Sequence, residues 1–314
     1  MREEIEKVAS GPCELLAVSE PAHPTQDASF GPVRNELFAE LVGMGYRSIA
    51  LETDRVAGFL VDDYVRGGAG SLDAVMAEGF SHGFGAVEAN RELVEWMREW
   101  NSGRADQVSF HGFDLPTETV MAPHPARYLQ SVADYLGLGV RFEDDERWSR
   151  TEAVMDASQS PGRSPEAVEL RVVADELLTA LYRRAPELVA ASSQEAWYRA
   201  RTQANTALGL LRYHRQSAEQ TDETTRISGL LAVRDVMMAQ NLLDLRTQEE
   251  RRGQTLVCAQ NAHLQRDPAV LEMGGMTLTW QSAGAIVGSL IGERYAVLSG
   301  RTLVRAGGVE GDRG

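Results

Sequence analysis

The sequence predicts an α/β fold, with a mostly parallel central sheet flanked by helices and a large inserted all-helical lobe. Short, continuous apolar runs alternate with helical patterns over the first 125 residues, and one more apolar run follows near residue 255. Such runs are typical of strands that are buried on both faces of a parallel sheet. Between residues 126 and 252 the helical patterns occur without strand signals. We therefore expect a single domain, 1–314, whose parts are an α/β core at 1–125 and 253–300, a helical lobe at 126–252 and a flexible tail at 301–314.

The predicted core strands share a continuous apolar run that is followed by polar residues. They are Cys13–Val18, Ser48–Leu51, Val108–Phe113 and Thr255–Ala259. Helices separate the first three strands. Apolar residues at helical spacing after Arg34 indicate one helix, which Gly43 ends, and the stripe from Leu93 to Trp100 indicates another. This alternation of strand and helix is typical of βαβ units.

Long helical patterns define the predicted lobe. They cover Glu166–Ala185, Gln194–Arg215 and Glu223–Arg252, and the Ser, Pro and Gly-rich segment 158–165 is interpreted as a loop.

Arg234 differs from its surroundings on the last of these helices, because it shares an otherwise apolar face with Met238. An isolated buried guanidinium is unfavourable, so Arg234 requires a partner. Glu20 and Glu52 are the predicted partners. The alternative interpretation is a pair with neighbouring Asp235, or extension of the side chain to solvent.

Composition argues against several kinds of partner. The chain has 314 residues, of which 43% are apolar and 25% charged, and a formal net charge of -15. This balance repels phosphate backbones and anionic lipids, so neither nucleic acid nor a membrane surface is an expected partner. No apolar stretch approaches the roughly 18 residues of a membrane helix, and the charged N-terminal segment is unlike a signal peptide, so we expect a cytoplasmic protein. Cys13 and Cys258 lie in apolar runs, which predicts buried free thiols.

Polar residues follow each predicted strand. They are Ser19, Glu20 and His23 after the first strand, Glu52 and Asp54 after the second, Asp114 after the third, and Gln260, Asn261 and His263 after the fourth. Ligands of open parallel sheets bind outside the carboxyl ends of the strands, so these side chains are expected to converge on one crevice. The alternative is that each residue is a helix cap or a solvated loop residue.

A serine motif points to a different chemistry. Residues 79–83, GFSHG, match the G-x-S-x-G pattern of serine hydrolases, with Ser81 in the nucleophile position. That mechanism requires a strand before the serine and a helix after it. The residues before the motif have a helical pattern, so we do not expect a nucleophile there.

Several motifs together resemble those of the erythromycin esterase family, whose members open macrolide lactone rings by hydrolysis. The segments that carry the resemblance are SEPAHPTQD (19–27), SIALETD (48–54), NRELVEWMREWN (90–101), FHGFD (110–114), RDVMMAQNLLDL (234–245), CAQNAHLQR (258–266) and GSLIGERYAVLSG (288–300). The first segment differs from the family pattern at Ser19, Pro24 and Asp27, and Gln260 stands where the family usually has a histidine.

The resemblance implies roles for individual residues. The implied catalytic residues are His23, Glu20, Glu52, His263, Arg34 and Arg234, and the implied substrate-binding residues are Asp114, Gln260, Asn261 and His111. His23 would act as the general base, because the ordinary pKa of an imidazole is about 6.5. A glutamate would orient it, and His263 with an arginine would stabilise the oxyanion or hold the carboxylates in place. The expected substrate is a bulky, largely apolar small molecule, with no cofactor and no metal.

Three alternatives to an ester or lactone hydrolase are kept open. Gln260 cannot titrate near neutral pH, which favours a non-hydrolytic tailoring enzyme that cyclises, eliminates or isomerises a polyketide-like substrate. A catalytically impaired protein would bind such a molecule without turnover. His23, His263 and the nearby carboxylates are also possible metal ligands, but their spacing matches no standard metal motif. The sequence does not predict an oligomeric state.

Overall fold

A parallel five-stranded sheet forms the centre of the α/β part of the chain. The computed structural model describes residues 11–20, 28–118, 120–301 and 303. The strands of the sheet are β1 (Leu15–Glu20), β2 (Ser48–Asp54), β3 (Ser109–Asp114), β4 (Thr255–Gln260) and β7 (Tyr295–Ser299), while β5 (Ala269–Met273) and β6 (Met276–Trp280) form a separate two-stranded sheet. The order in the larger sheet is β3-β2-β4-β1-β7, and its pairings are all parallel. The predicted α/β fold is therefore confirmed.

Helices separate and follow these strands. They are α1 (Phe30–Gly43), α2 (Gly58–Val65), α3 (Leu72–Glu78), α4 (Glu88–Asn101), α5 (Ala126–Tyr135), α6 (Thr151–Met155), α7 (Pro165–Arg183), α8 (Ala185–Ala191), α9 (Gln194–Ser217), α10 (Glu223–Glu249), α11 (Asn261–Leu264) and α12 (Ala283–Ile291). The helices from α5 to α10 follow one another without an intervening strand among the described residues. The predicted inserted helical lobe is confirmed.

The observed strands differ from the predicted ones mainly at their carboxyl ends. β1 extends to Glu20 and β2 extends to Asp54, so Glu20 and Glu52 belong to the strands and not to the loops after them. The sequence does not predict β7, because this edge strand is only half-buried after Tyr295 and lacks a continuous buried run. It also does not predict β5 and β6, whose side chains are mostly exposed.

The sheet is buried on both faces, which explains its continuous apolar strands. Alternate residues of a strand point to opposite faces. Leu16, Ile49 and Phe110 lie in one hydrophobic core with residues of α1 to α4. Leu15 and Ala50 lie in a second core with residues of α10 and α12.

The same alternation divides the polar residues at the strand ends. Glu20 lies two residues beyond Val18, which belongs to the first core, so Glu20 points toward the α1–α4 face. Asp114 points to the same face, because its neighbour Phe113 belongs to the second core. Glu52 lies two residues beyond Ala50 and points toward the α10–α12 face. The carboxyl end of the sheet therefore carries polar groups on both faces.

Helix α2 covers the outer edge of β3. Asp62 accepts a hydrogen bond from the backbone N–H of Phe110 at 3.0 Å, and an edge strand otherwise leaves such donors without a strand partner. A Cβ at Gly58 would lie 2.7 Å from the backbone N of Gly112, so only glycine allows this close approach. This packing fixes β3 and thereby positions Asp114 at its end.

The described chain divides into two compact units. Unit 1 contains the residues up to 114 together with 235–272 and those from 279 onwards, and unit 2 contains 115–234 and 273–278. The segment predicted as the lobe, 126–252, overlaps both units, because α10 passes from unit 2 into unit 1 after residue 234. Within the part of the chain that the structure describes, no helix combines the length and apolar character needed to cross a membrane.

A stack of two histidines on a tryptophan lies in the core of unit 2. The rings of His124 and His214 both contact the ring of Trp148 edge-on, with centroid distances of 4.6 and 4.9 Å. Burial lowers the pKa of His214 to about 4; the carbonyl of Pro123 partly offsets this effect and His124 adds to it. His214 is therefore buried as a neutral imidazole.

Acidification is expected to destabilise the protein through His214. Its pKa is about 4 in the folded protein and near 6.5 in the unfolded chain, so its contribution to stability is complete above pH 6.5 and is lost as the pH falls toward 4. The loss amounts to roughly 3 kcal/mol in the free energy of unfolding. In His214→Phe, which keeps an aromatic ring against Trp148, this part of the pH dependence should be absent. Urea unfolding of both proteins at about pH 7 and about pH 4.5 tests this, and equal losses in the two proteins would contradict it.

Candidate active site

A buried carboxylate joins two strand ends. Glu52 is buried in β2, two residues before the carboxyl end of the strand. Its Oε2 accepts a hydrogen bond at 2.9 Å from the backbone N–H of Gln260, the last residue of neighbouring β4. Its Oε1 lies 3.5 Å from Nε2 of His263. Glu52 thus connects β2, β4 and the one-turn helix α11.

Asp235 holds the other side of the His263 ring. Nδ1 of His263 lies 2.5 Å from Oδ1 of Asp235. Asp235 is 0% exposed in α10, and its Oδ2 accepts hydrogen bonds from the indole N–H of Trp280 at 2.6 Å and the backbone N–H of Ala283 at 3.2 Å. Because an ionised carboxylate only accepts hydrogen bonds, Nδ1 of His263 carries the proton between them. The Nε2 atom is thereby directed toward the end of β2.

The segment after α11 fixes the turn that carries His263. The hydroxyl of Tyr295 donates a hydrogen bond to the carbonyl of Leu264 at 2.6 Å. A Cβ at Gly284 would lie 2.0 Å from the same carbonyl oxygen, so α12 approaches this turn only because position 284 is glycine. The hydroxyl of Ser282 donates to the carbonyl of Gln265 at 2.6 Å. These contacts orient His263 from the carboxyl side of its helix.

Glu20 and Arg34 are two further buried ionisable residues, and each influences the pKa of the other. Glu20 ends β1 and is paired in register with Gln260. Burial raises the pKa of Glu20 to about 7; the Arg34 guanidinium lowers it and the Glu52 carboxylate raises it further. Arg34 is buried in α1, donates to Oδ1 of Asn35 at 2.9 and 3.1 Å, and has a pKa that burial lowers and Glu20 raises. Glu20 is therefore close to half-protonated near neutral pH.

A rise in pH is expected to destabilise the protein through Glu20. A carboxyl with a pKa of about 7 in the folded protein and 4.5 in the unfolded chain contributes stability that is complete below pH 4.5 and lost as the pH rises through 7. The loss is at most roughly 3 kcal/mol. It should be absent in Glu20→Gln, whereas the matched control Glu88→Gln, which changes an exposed carboxylate, should retain it. Melting temperatures at about pH 5 and about pH 8 test this, and a wild-type pH dependence in Glu20→Gln would contradict it.

Three of the residues predicted to bind substrate lie at or directly after the carboxyl ends of β3 and β4, but they differ in their contacts. Asp114 ends β3, as expected, and faces Nε2 of His82 at 2.9 Å. Gln260 contributes its backbone N–H to Glu52, while Asn261 is exposed and donates its amide to Gln265 at 2.7 Å.

His111 is the predicted substrate-binding residue that the structure places away from the strand ends. It lies three residues before the end of β3, opposite Ala50 of β2. Its Nε2 lies 2.9 Å from Oε1 of Glu249, and its Nδ1 lies 3.2 Å from Nη1 of Arg55. Both ring nitrogens therefore contact buried side chains, those of Glu249 and Arg55.

His23, the predicted general base, lies outside the described residues. Arg234 is half-buried on α10, and the next residue, Asp235, occupies the fully buried position. Among the described residues, no group of three or more His, Cys, Asp or Glu side chains is arranged to hold a metal ion.

The sequence predicts that Ser81 is not a nucleophile, and the structure agrees, because Ser81 does not lie on a turn between a strand and a helix. Helix α3 and not a strand precedes it. Its hydroxyl lies 3.1 Å from Oγ1 of Thr53 and accepts a hydrogen bond from the backbone N–H of Asp54 at 2.9 Å. The serine therefore attaches its loop to β2.

Sequence reasoning missed Asp235 and His82. Asp235 lies three and seven residues before the buried Met238 and Leu242, so it lies on the apolar stripe of α10. His82 lies inside the serine motif, but its contact with Asp114 depends on the backbone conformation of the loop. No sequence pattern indicates that conformation.

Asp235→Asn is expected to reverse the tautomer of His263. Trp280 and Ala283 both donate to one oxygen of Asp235, so the asparagine oxygen must face them and its NH₂ group must face Nδ1 of His263. Nδ1 then accepts a hydrogen bond and the ring proton moves to Nε2. Nitrogen-15 NMR shifts of the histidine rings measure this change. Trp280→Phe is the matched control, because it keeps the carboxylate and should keep the proton on Nδ1. An unchanged Nδ1–H signal in Asp235→Asn would contradict the assignment.

Comparison with known proteins gives a family match and several structural neighbours. The family model described as erythromycin esterase matches residues 42–303. None of the curated proteins compared with the sequence matches it.

Three solved structures share the fold over 95% of this chain. A Bacillus cereus protein has a TM-score of 0.68 at 16% identity, with 67% of its own chain covered. A succinoglycan biosynthesis protein has a TM-score of 0.65 at 16% identity, with 68% covered. A mutant of the erythromycin esterase EreC in its open conformation has a TM-score of 0.63 at 17% identity, with 72% covered. At this level of identity the structural likeness establishes the fold alone.

Proposed function

The chain belongs to the erythromycin esterase family, which indicates a hydrolase of the esterase kind, and on that premise we propose that it hydrolyses an ester or lactone bond in a bulky, largely apolar, macrolide-like molecule. The observation that carries the proposal is the position of His263 between two buried carboxylates. Asp235 holds its Nδ1 at 2.5 Å and Glu52 lies 3.5 Å from its Nε2, at the carboxyl ends of parallel strands. This is the part of an open α/β sheet where ligands bind.

His23 is the proposed general base. It follows the end of β1 by three residues, and β1 is the neighbour of β4 in the sheet. A neutral imidazole takes a proton from water as the water attacks the ester carbonyl. Glu20 or Glu52 is the group proposed to orient His23 and to stabilise the imidazolium that forms.

His263 is the proposed donor to the oxyanion. Its Nδ1–H is committed to Asp235, so the ring presents Nε2 toward the reaction site, and as a donor it acts in the imidazolium form, which carries a proton on Nε2 as well. The 3.5 Å separation from Glu52 is longer than a good hydrogen bond, so a proton on Nε2 can be transferred to a nearer acceptor on the substrate. Such a preoriented donor stabilises the charge that develops on the carbonyl oxygen. Arg34 is proposed to balance Glu20, and Arg234 to assist in oxyanion binding.

A non-hydrolytic tailoring reaction is the second candidate. Gln260 is half-buried at the end of β4, where it can form hydrogen bonds but cannot transfer a proton. A site with one fewer titratable group can still perform the proton transfers of cyclisation, elimination or isomerisation. Product mass distinguishes the two, because hydrolysis of a lactone adds one water, whereas cyclisation by isomerisation leaves the mass unchanged.

Replacement of His23 is expected to abolish hydrolysis without loss of folding. With erythromycin as the probe and mass spectrometry as the readout, we expect kcat to fall about 10²- to 10⁴-fold in His23→Gln, because a general base contributes on that order. The melting temperature should remain close to that of the wild type. In His23→Ala, added imidazole should restore part of the activity, since it replaces the missing base.

Two outcomes would contradict this assignment. Loss of folding in parallel with loss of activity would make His23 structural. The proposed mechanism contains no step that uses a metal, so inactivation by EDTA and recovery with a divalent cation would also contradict it.

A further inference from the structure

The end of β3 carries a histidine–carboxylate pair that the mechanism above does not use. Nε2 of His82 lies 2.9 Å from Oδ2 of Asp114. The Asp114 side chain is 0% exposed and the His82 side chain is 11% exposed, so a buried carboxylate holds an imidazole whose edge reaches solvent. A carboxylate in this position orients the ring and stabilises its protonated form.

His82 adopts a backbone conformation that is uncommon for residues other than glycine. Its φ is 57°, and among the described residues it is the single non-glycine residue with a positive φ. This left-handed region is unfavourable for a residue with a Cβ, whereas glycine enters it readily. The next residue, Gly83, also has a positive φ of 72° and is a glycine. The left-handed turn at His82 and Gly83 therefore sets the direction in which the imidazole leaves the backbone.

Hydrogen bonds fix the loop on both sides of His82. Before it, the backbone N–H of Ser81 donates to Oγ1 of Thr53 at 2.7 Å, and Oγ of Ser81 accepts from the backbone N–H of Asp54 at 2.9 Å. After it, the amide of Asn90 donates to the carbonyl of Phe84 at 2.9 Å. These hydrogen bonds hold the loop on both sides of the ring. The imidazole is therefore kept in one orientation, and proton transfer requires such a fixed orientation.

The pair lies near Glu52 but on the other face of the sheet. Asp114 is paired in register with Asp54, two residues beyond Glu52 on neighbouring β2. The pairing of β2 with β3 shifts register between Leu51 and Asp54, and both Glu52 and Asp114 lie at the carboxyl ends of these neighbouring strands. Asp114 points toward the α1–α4 face and Glu52 toward the α10–α12 face. Both groups thus belong to the carboxyl end of the sheet, where ligands of open parallel sheets bind.

We infer that His82 is the general acid of the proposed hydrolysis and that Asp114 is its positioning residue. The inference rests on the proposed function. Hydrolysis needs two proton transfers: His23 takes a proton from water as the new C–O bond forms, and another group gives a proton to the alcohol oxygen as the acyl C–O bond breaks. Protonated His82 gives that second proton. His23 then releases its proton to solvent and His82 regains one, so the sum is ester and water giving acid and alcohol.

A purely structural pair would hold the turn at 81–83 but would not respond to the leaving group. An alkoxide is a strong base and departs slowly unless it is protonated, whereas 4-nitrophenolate departs without a proton. The dependence of the rate on the leaving group therefore separates a general acid from a structural contact.

The experiment compares the ethyl and 4-nitrophenyl esters of the same acid as substrates of the wild type, His82→Gly and His82→Asn. Glycine relieves the left-handed backbone and asparagine tolerates it, so both variants should fold. We expect the ratio of kcat/KM for the ethyl ester to kcat/KM for the 4-nitrophenyl ester to fall at least about 10²-fold in both variants. Asp114→Asn should also lower the ratio of kcat/KM for the ethyl ester to kcat/KM for the 4-nitrophenyl ester. Equal losses on the two esters would overturn the inference and make His82 structural.

Erythromycin is the probe if the wild type hydrolyses neither small ester. A fall in kcat for ring opening in His82→Gly, with KM and melting temperature unchanged, would then support the inference, and an unchanged kcat would overturn it. Failure of the proposed function is seen separately, because the wild type would then hydrolyse none of the three probes. The general-acid role would fall with it.

Discussion

The burial of carboxylates together with enough donors to satisfy them is the constraint on which this site depends. Asp235 is fully buried, and it accepts hydrogen bonds from His263, Trp280 and Ala283. These donors belong to α11, to the end of β6 and to the start of α12. An ionised group is tolerated away from water only with such partners. The segment from 263 to 283 must therefore fold around Asp235 for the carboxylate to be stable there, and the same folding orients His263.

The parallel sheet supplies the second part of the arrangement. Because β2 and β4 run in the same direction, the backbone N–H of Gln260 at the end of β4 is available to Glu52 of β2 at 2.9 Å. This contact uses the main chain, so it does not depend on the side chain at position 260. The glutamine that stands where the family usually has a histidine thus removes a titratable group but leaves the support of Glu52 intact. Gln260 therefore changes the number of titratable side chains in the site but leaves the hydrogen bond that positions Glu52 unchanged.

The part of the site that lies in the strands could be predicted from the sequence. The apolar stripe of α10 leaves a choice between two adjacent residues, and the loop conformation could not be predicted. A continuous apolar run that ends in a carboxylate is visible along the chain, and this pattern predicts the position of Glu52. Arg234 and Asp235 are adjacent on a helix of 27 residues, and a drift of one position in the helical phase decides which of them is buried. His82 depends on a positive φ, which is set by the contacts of its loop with β2. The sequence motif there directs attention to Ser81, whose hydroxyl instead attaches that loop.

The ionisation of the acidic groups at the carboxyl end of the sheet affects the release of a charged product. Burial, together with the neighbouring Glu52 carboxylate, raises the pKa of Glu20 to about 7 although Arg34 lowers it, so the two glutamates are not both fully ionised near neutral pH. A neutral ester adds no charge to this arrangement. Hydrolysis, however, produces a carboxylate beside acidic groups, and like charges in a poorly solvated site repel one another. The repulsion promotes departure of an acid product, but it gives no advantage to a reaction whose product is as neutral as its substrate. In the proposed hydrolysis, the acidic groups at the strand ends therefore assist the release of the acid product.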